Sequence, residues 1–579
     1  MKETTKVYPH VYENMEDWPI YKQSEDRARF VEEVTEQAWN RLLKRHKGAI
    51  GDVIAKTIYD ERIRIKQEPW KVDPPDEKAF WNKIQKKLVK RSLDKEKVEA
   101  DAVNKEILHT IVDRYAEEIV GTFKIKTMEF ARKFTTFFFN RLLNTAASRN
   151  FRRIYSAKHR VYERLKVEGE VEKVRSLTKK GTVVLVPTHF SNLDSLLVGY
   201  AMDQIAGITF PSFAAGLNLF NTGYVAYFMN RLGTYRVDRR KKNAIYLETL
   251  KTTSNLSIQR GVSNLIYAGG TRSRSGELET KVKMGLLGTA VEAQRALSAK
   301  GEGGKVFIVP LIIGYHFVLE APFMIDQHLL KTGKEHYHRT KDGSTSIRKM
   351  LKFGWNYFSQ SSEIRLSFGK PLDVLGNFVD MEGNSTDRFG KKIKVDDYFK
   401  SNGVVEQDLQ REREYTKILG ERIIERFHKD NVVLCSHAIA FVVFNLLKKQ
   451  NSDLDLYGLL RLPPEDFEFS IELVEQAMAE LVIALKELHA KGQVKLSEQI
   501  SWDTSALVKE GIKFLGTFHA EQPLRINKAG NVISESFKLL YYYHNRLDHY
   551  GLEKMVNWGE LKKDTSAIAT IARSSDIPV

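Results

Sequence analysis

Gly181-Thr-Val-Val-Leu-Val-Pro187 runs directly into Thr188-His189-Phe190-Ser191-Asn192-Leu193-Asp194. The first stretch is Val-rich, of strand length, and bounded by a glycine and a proline, so it reads as a short buried β-strand that stops at Pro187. Beyond it Leu193, Leu196, Leu197 and Tyr200 fall at helical spacing, which predicts a helix that Ser191 or Asn192 could cap. A buried strand feeding a helix through a short loop is the repeating unit of an α/β domain. His189 then lies on the strand-to-helix loop, with Asp194 in the first helical turn behind it.

That spacing has a chemical reading. A carboxylate one turn behind an imidazole can hold Nδ1–H and leave Nε2 to take a proton from a hydroxyl. No nucleophilic serine or cysteine signature stands beside the pair, which points to a base that activates the substrate's own alcohol. Alone the pair is weak, because 15 histidines give about one His-x4-Asp by chance. Three downstream segments strengthen it. Leu232-Gly-Thr-Tyr-Arg-Val-Asp238-Arg239-Arg240 is a short alternation ending in a basic cluster. Asn264-Leu-Ile-Tyr-Ala-Gly269-Gly270-Thr271-Arg272-Ser273-Arg274-Ser275-Gly276 reads as a strand entering a Gly-rich loop. Val306-Phe-Ile-Val-Pro310-Leu-Ile-Ile-Gly314-Tyr315 is another buried strand, interrupted by proline. Arginines alternating with small residues after a strand suit a phosphate, which guanidinium forks bind with charge-assisted bonds and glycines let the backbone approach.

The four segments, in this order, resemble the block pattern of the glycerolphosphate acyltransferases. The nearer likeness is to the long glycerol-3-phosphate and dihydroxyacetone-phosphate branch. It is carried also by Ala214-Ala215-Gly216-Leu217-Asn218-Leu219, Lys283-Met284-Gly285-Leu286-Leu287, Phe317-Val318-Leu319-Glu320 and Leu539-Leu540-Tyr541-Tyr542-Tyr543-His544-Asn545-Arg546. The resemblance implies His189 as general base and Asp194 as its orienting partner. It implies Arg239, Arg272, Arg274 and Lys283 around the acceptor's phosphate, with Asn192, Gly270, Thr271 and Ser273 shaping the pocket. The reaction implied is direct transfer of a fatty acyl group from acyl-CoA or acyl carrier protein to glycerol-3-phosphate. Three positions depart from the pattern. Gly269 stands where the family has Glu, Asp238-Arg239 looks more like the lysophosphatidate branch, and His316 follows Tyr315 where an acidic residue is common. Lysophosphatidate is therefore an alternative acceptor, and a non-catalytic lipid- or carrier-protein-binding scaffold is the alternative of another class.

The remaining composition is that of a globular chain. At 579 residues it is long enough for two or three domains, with 42% hydrophobic and 28% charged residues. We expect a helical domain over 1–150, the α/β acyltransferase domain over 151–378, and a mostly helical region over 379–579. Within these, Glu363–Pro371 reads as the last strand of the sheet, Met381–Lys400 as an exposed loop, and Val494–Phe518 as a strand pair. The stripe Leu473, Ala477, Leu481, Leu485 reads as helix core. One cysteine, Cys435, excludes an intrachain disulfide, and the histidines show no zinc-like spacing, so neither metal nor cofactor is expected. No signal-peptide core opens the chain and no apolar run is long enough to span a bilayer. The net charge of +17, with a pI near 9.4, favours an anionic membrane surface, CoA or an acidic carrier protein. No nucleic-acid-binding signature accompanies it. Phe130-Ala-Arg-Lys-Phe-Thr-Thr-Phe-Phe-Phe-Asn-Arg-Leu-Leu143 is the best membrane-contact segment, or else a helix packing its aromatic face on the domain. The expected location is cytoplasmic, peripherally bound to the inner face of a membrane.

Overall fold

The computed structural model describes residues 5–93, 97–143, 158–217, 223–301, 303–332 and 363–558. Its centre is a seven-stranded sheet: β1 (Leu165–Gly169), β2 (Thr182–Pro187), β3 (Ser212–Gly216), β4 (Tyr235–Val237), β5 (Asn264–Leu265), β6 (Val306–Tyr315) and β7 (Ile364–Phe368). The strands lie in the order β1-β7-β6-β2-β5-β3-β4, all neighbours parallel except β6 and β7. β2 sits in the middle, and every residue of it is buried. Alternate side chains enter different cores: Val183 and Leu185 join one cluster, Val184 and Val186 the other. Burial on both faces is why the strand reads as a continuous apolar run rather than an alternation.

β6 runs unbroken through Pro310, which pairs in register with Val186. The proline is tolerated because β7 ends at Phe368, opposite Leu311, so no ladder partner loses an N–H bond there. Helices Ala244–Gln259, Met284–Lys300 and Leu409–Lys429 cover one face of the sheet through Ile258, Leu287, Val291, Ile423 and Phe427. The other face carries helix Asp194–Tyr200 and, beyond it, C-terminal helices including the buried Cys435–Gln450.

Four long helices, Arg27–Arg45, Ile50–Gln67, Glu77–Leu93 and Lys97–Ile119, form the N-terminal layer. Ile107, Ile111 and Tyr115 meet Ile245, Tyr246 and Leu250 of the Ala244–Gln259 helix. Buried ion pairs line the same seam. Arg64 lies between Glu61 and Glu77, Arg240 reaches Asp73 at 2.5 Å, and Lys241 reaches Glu118 at 2.5 Å.

Three local expectations are corrected. Neither Ser191 nor Asn192 caps the helix, which begins at Asp194 with no side-chain cap. The expected strand pair at Val494–Phe518 is a two-residue strand, Lys495–Leu496, paired with Val432–Val433, followed by helix Thr504–Phe514. Asp503 caps that helix by accepting from the Ser505 and Ala506 N–H groups, while Leu507, Val508 and Ile512 form its buried face. Met381–Lys400 is not a plain loop. It forms short antiparallel pairs around two Asp-x-x-Gly turns, at Asp380–Gly383 and Asp387–Gly390, whose glycines take φ of 80° and 81°. The Leu473–Leu485 stripe does lie in one helix, Ile471–Ala490, with Ala477, Leu481 and Leu485 buried. Among the described residues, no helix is long and apolar enough to cross a membrane.

Candidate active site

The loop between β2 and helix Asp194–Tyr200 is folded around one carboxylate. Asp194 Oδ2 accepts from His189 Nδ1 at 2.8 Å and from the N–H groups of Phe190 and Ser191 at 2.7 and 3.0 Å. Its Oδ1 accepts from the Tyr315 hydroxyl at 2.6 Å. With four donors, the Asp194 side chain is 0% exposed and still fully satisfied, whereas the His189 side chain keeps 14% exposure. His189 Nε2 has no hydrogen-bond partner among the described residues. The ring stacks on Tyr267, centroids 3.9 Å apart, and the Tyr267 hydroxyl pairs with Ser195 Oγ at 2.9 Å. Imidazole tautomer, tilt and position are thus all determined by neighbours.

The 268–283 loop grips the His189 backbone from both sides. Ser273 N–H donates to His189 O at 2.7 Å, and His189 N–H donates to Glu279 Oε1 at 2.8 Å. Lys283 N–H closes the loop on Ala268 O at 2.7 Å. Gly270 takes φ 70°, a conformation that L side chains rarely adopt, and the Lys283 side chain lies where its Cβ would be. The Arg239 guanidinium donates to Gly270 O at 3.0 Å. Burial, then the like charges of Arg272 and Arg274, hold Arg239 below its ordinary value. Mutual repulsion of three guanidiniums is relieved by an anion.

Glu320 ties the two loops together. It accepts from Ser191 Oγ at 2.9 Å and Asn192 N–H at 2.9 Å, and Arg272 Nη1 reaches it at 3.3 Å. Arg272 is therefore partly neutralised within the protein and braces the His189 loop. The N–H groups of Phe190, Ser191, Asn192 and Leu193 are all engaged, the last with Ser191 Oγ at 3.1 Å.

The C-terminal region forms part of the wall. Arg546 is buried, donating to Ile313 O at 2.9 Å and Asn431 Oδ1 at 3.0 Å, and lies 4.4 Å over the Phe190 ring. Burial pulls its pKa down to about 10. Asn545 Nδ2 donates to Ser275 O at 2.9 Å. His316 contacts the C-terminal helices instead of the arginine loops: Nδ1 meets Ser436 Oγ at 2.8 Å and the ring stacks on Phe514.

A model of the acyltransferase family matches residues 164–314. Over 224 residues the chain is 30% identical to a glycerol-3-phosphate acyltransferase of Alteromonas mediterranea, covering 38% of this chain and 25% of that protein. Over 294 residues it is 26% identical to a glycerol-3-phosphate acyltransferase of Pseudomonas aeruginosa, covering 51% of this chain and 31% of that protein. Residues 164–314 form an acyltransferase-family domain. The chain spans only a quarter to a third of the length of these relatives. The 1-acyl-sn-glycerophosphate acyltransferase PlsC of Thermotoga maritima superposes with a TM-score of 0.25 at 14% identity, over 64% of this chain and 93% of that one, too loosely to carry an argument.

Within the acyltransferase domain, the structure brings His189, Asp194, Asn192, Gly270, Ser273, Arg239, Arg272, Arg274 and Lys283 to one site. Thr271 is exposed at its rim, and Asn218 and Leu219 lie outside the described residues. Sequence reading gave no role to Tyr267, Tyr315, Glu320 or Arg546, although all four fall inside the quoted blocks. Glu279 carried no signal at all, because neither periodicity nor spacing marks a residue fourteen positions past the end of β5.

Proposed function

We propose that this chain esterifies glycerol-3-phosphate with a fatty acyl group taken from acyl-CoA or acyl carrier protein. The observation that carries the reading is His189, held by a buried carboxylate with Nε2 unpartnered, beside three converging arginines. The acceptor's phosphate binds between Arg239, Arg274 and Lys283, with Arg272 bracing the loop, and so aims a glycerol hydroxyl at Nε2. His189 takes the hydroxyl proton as the oxygen attacks the thioester carbonyl. Collapse of the tetrahedral intermediate expels the thiolate, which recovers that proton from the imidazolium. Asp194 stabilises the imidazolium meanwhile. Lysophosphatidate is the second acceptor to test, since Asp238-Arg239 follows that branch and Asp238 is committed to Arg240.

The membrane partner of this reading is the exposed side of helix Ile125–Leu143. Phe130, Phe134 and Phe137 are 52%, 49% and 59% exposed, while Phe139 and Leu142 of the same helix are buried in the core. Phe130 stacks on both Phe134 and Phe228, and Tyr227 extends the ridge. Lys126 and Lys133 are exposed on the same helix. Aromatic rings among basic residues suit an anionic lipid surface. The helix also packs on Asp194–Tyr200, through Phe139 against Tyr200 at 5.2 Å, so a docked lipid surface would lie close to the site.

The test is release of free thiol from palmitoyl-CoA in the presence of liposomes. Glycerol-3-phosphate, lysophosphatidate and no acceptor are compared, each repeated with His189→Ala and with an acyl carrier protein donor. Acceptor-dependent release that His189→Ala abolishes would support the reading. No transfer from either donor, together with tight acyl-CoA binding, would replace it with a non-catalytic scaffold.

A further inference from the structure

Glu279 is an unusual carboxylate for its surroundings. One oxygen accepts the His189 N–H at 2.8 Å, while Oε2 is enclosed without a hydrogen-bond partner. Burial pushes the carboxyl up to about 7, against the backbone bond from His189 and the charge of Arg546, which favour ionisation. Sheltering such a group costs stability unless position requires it. Its Cγ lies against the point where a side chain at 269 would begin. A Cβ built on Gly269 would stand 3.1 Å from Glu279 Cγ and 3.7 Å from its Oε1. Gly269 has no positive φ, so its backbone does not require glycine. A side chain at 269 would therefore press on Glu279, which would have to give by a few tenths of an ångström.

We infer that Glu279 is a positioning residue for His189, and that positions 269 and 279 share one carboxylate site which only one of them can fill. This rests on His189 acting as the base. Glu279 and Ser273 hold the 189 peptide from opposite ends, while Asp194 holds the ring. The chain's departure at Gly269 is then a relocation of a carboxylate and not its loss.

The test uses the full chain in four forms: Glu279→Ala, Glu279→Gln, Gly269→Glu, and the transposed double variant Gly269→Glu/Glu279→Ala. Losing a bond to a charged acceptor should lower kcat of Glu279→Ala by about 10- to 100-fold, with the acceptor KM unchanged. Glu279→Gln, which keeps an oxygen for the N–H, should stay within about threefold of wild type. Gly269→Glu alone, with two side chains in one space, should be impaired, and the transposed double variant should recover most of the loss. Wild-type kcat in Glu279→Ala, a loss in Glu279→Gln as deep as in Glu279→Ala, or a double variant no better than its worse parent would each overturn the proposal. Thermal melts of all four separate misfolding from mispositioning. The His189 imidazole resonance, assigned by its absence in His189→Ala, is followed alongside. It should move in Glu279→Ala and return in the double variant, a readout that stands even if no acyl transfer is detected in wild type.

Discussion

Replacing Asp194 by Asn keeps the shape of the side chain and removes its charge. Oδ2 takes three donors, from His189 Nδ1 and the N–H groups of Phe190 and Ser191. The carbonyl oxygen of the asparagine must take that place, leaving NH2 toward the Tyr315 hydroxyl, which turns to accept. The tautomer of His189 is then retained, and what is lost is the charge that stabilises the imidazolium. With charge centres about 4 Å apart and an effective dielectric constant near 20, that interaction is about 4 kcal/mol. In rate this is about 10³-fold. Because Asp194 has no exposed surface, it cannot touch substrate, and the loss should fall in kcat with KM unchanged. Thiol release at saturating acceptor reads it directly. A double variant with His189→Ala should be no slower than His189→Ala alone, since the carboxylate acts through the ring. A kcat within tenfold of wild type, or a loss confined to KM, would refute the assignment.

Arg239→Ala should raise the acceptor KM by about 10-fold or more with little change in kcat, because a charge-assisted phosphate contact is lost away from the reacting atoms. The variant Phe134→Glu/Phe137→Glu should lower cosedimentation with anionic liposomes while leaving the melting temperature unchanged, both rings being about half exposed. Asp73→Ala, which removes one of the two carboxylates on the buried Arg240 side chain and leaves Asp238 as the other, should destabilise the chain by about 1–3 kcal/mol in urea titration. Acid should destabilise as well. Burial depresses His519 to about 4 from an ordinary 6.5, so the unfolded chain binds a proton that the folded one refuses, and stability falls as pH drops below 6.5. At pH 5 this one residue accounts for about 2 kcal/mol. Glu279 works in the opposite sense over an overlapping range, so the quantity to read is the difference between wild type and His519→Gln, which should lack that fall.

How much was legible differs by element. The strand at 182–187 announced itself by composition, because it is buried on both faces and admits no polar side. Helix Thr504–Phe514 is ambiguous in sequence because its apolar residues are few and two of them, Val508 and Ile512, are β-branched, so that only the Asp503 cap marks it as helix. In the site, the pair His189 and Asp194 was readable since its geometry is local, five residues along one loop. Arg239, Arg272 and Arg274 were readable as cations on loops, and their convergence followed only from the order of the blocks.

By itself the sequence determined the α/β core, the His-Asp pair and the basic loop after β5, all of which depend on residues near one another in the chain. The tertiary structure alone decided what stands behind them. Tyr315 comes from β6 to the far oxygen of Asp194, Glu320 joins two loops 80 residues apart in sequence, and Arg546 arrives from the C-terminal region to lie over Phe190. Glu279 reaches back 90 residues to the His189 N–H and takes the space left by Gly269. Such partners are chosen by packing, where a donor must find whichever acceptor the fold brings within about 3 Å, and sequence separation leaves no trace of that choice.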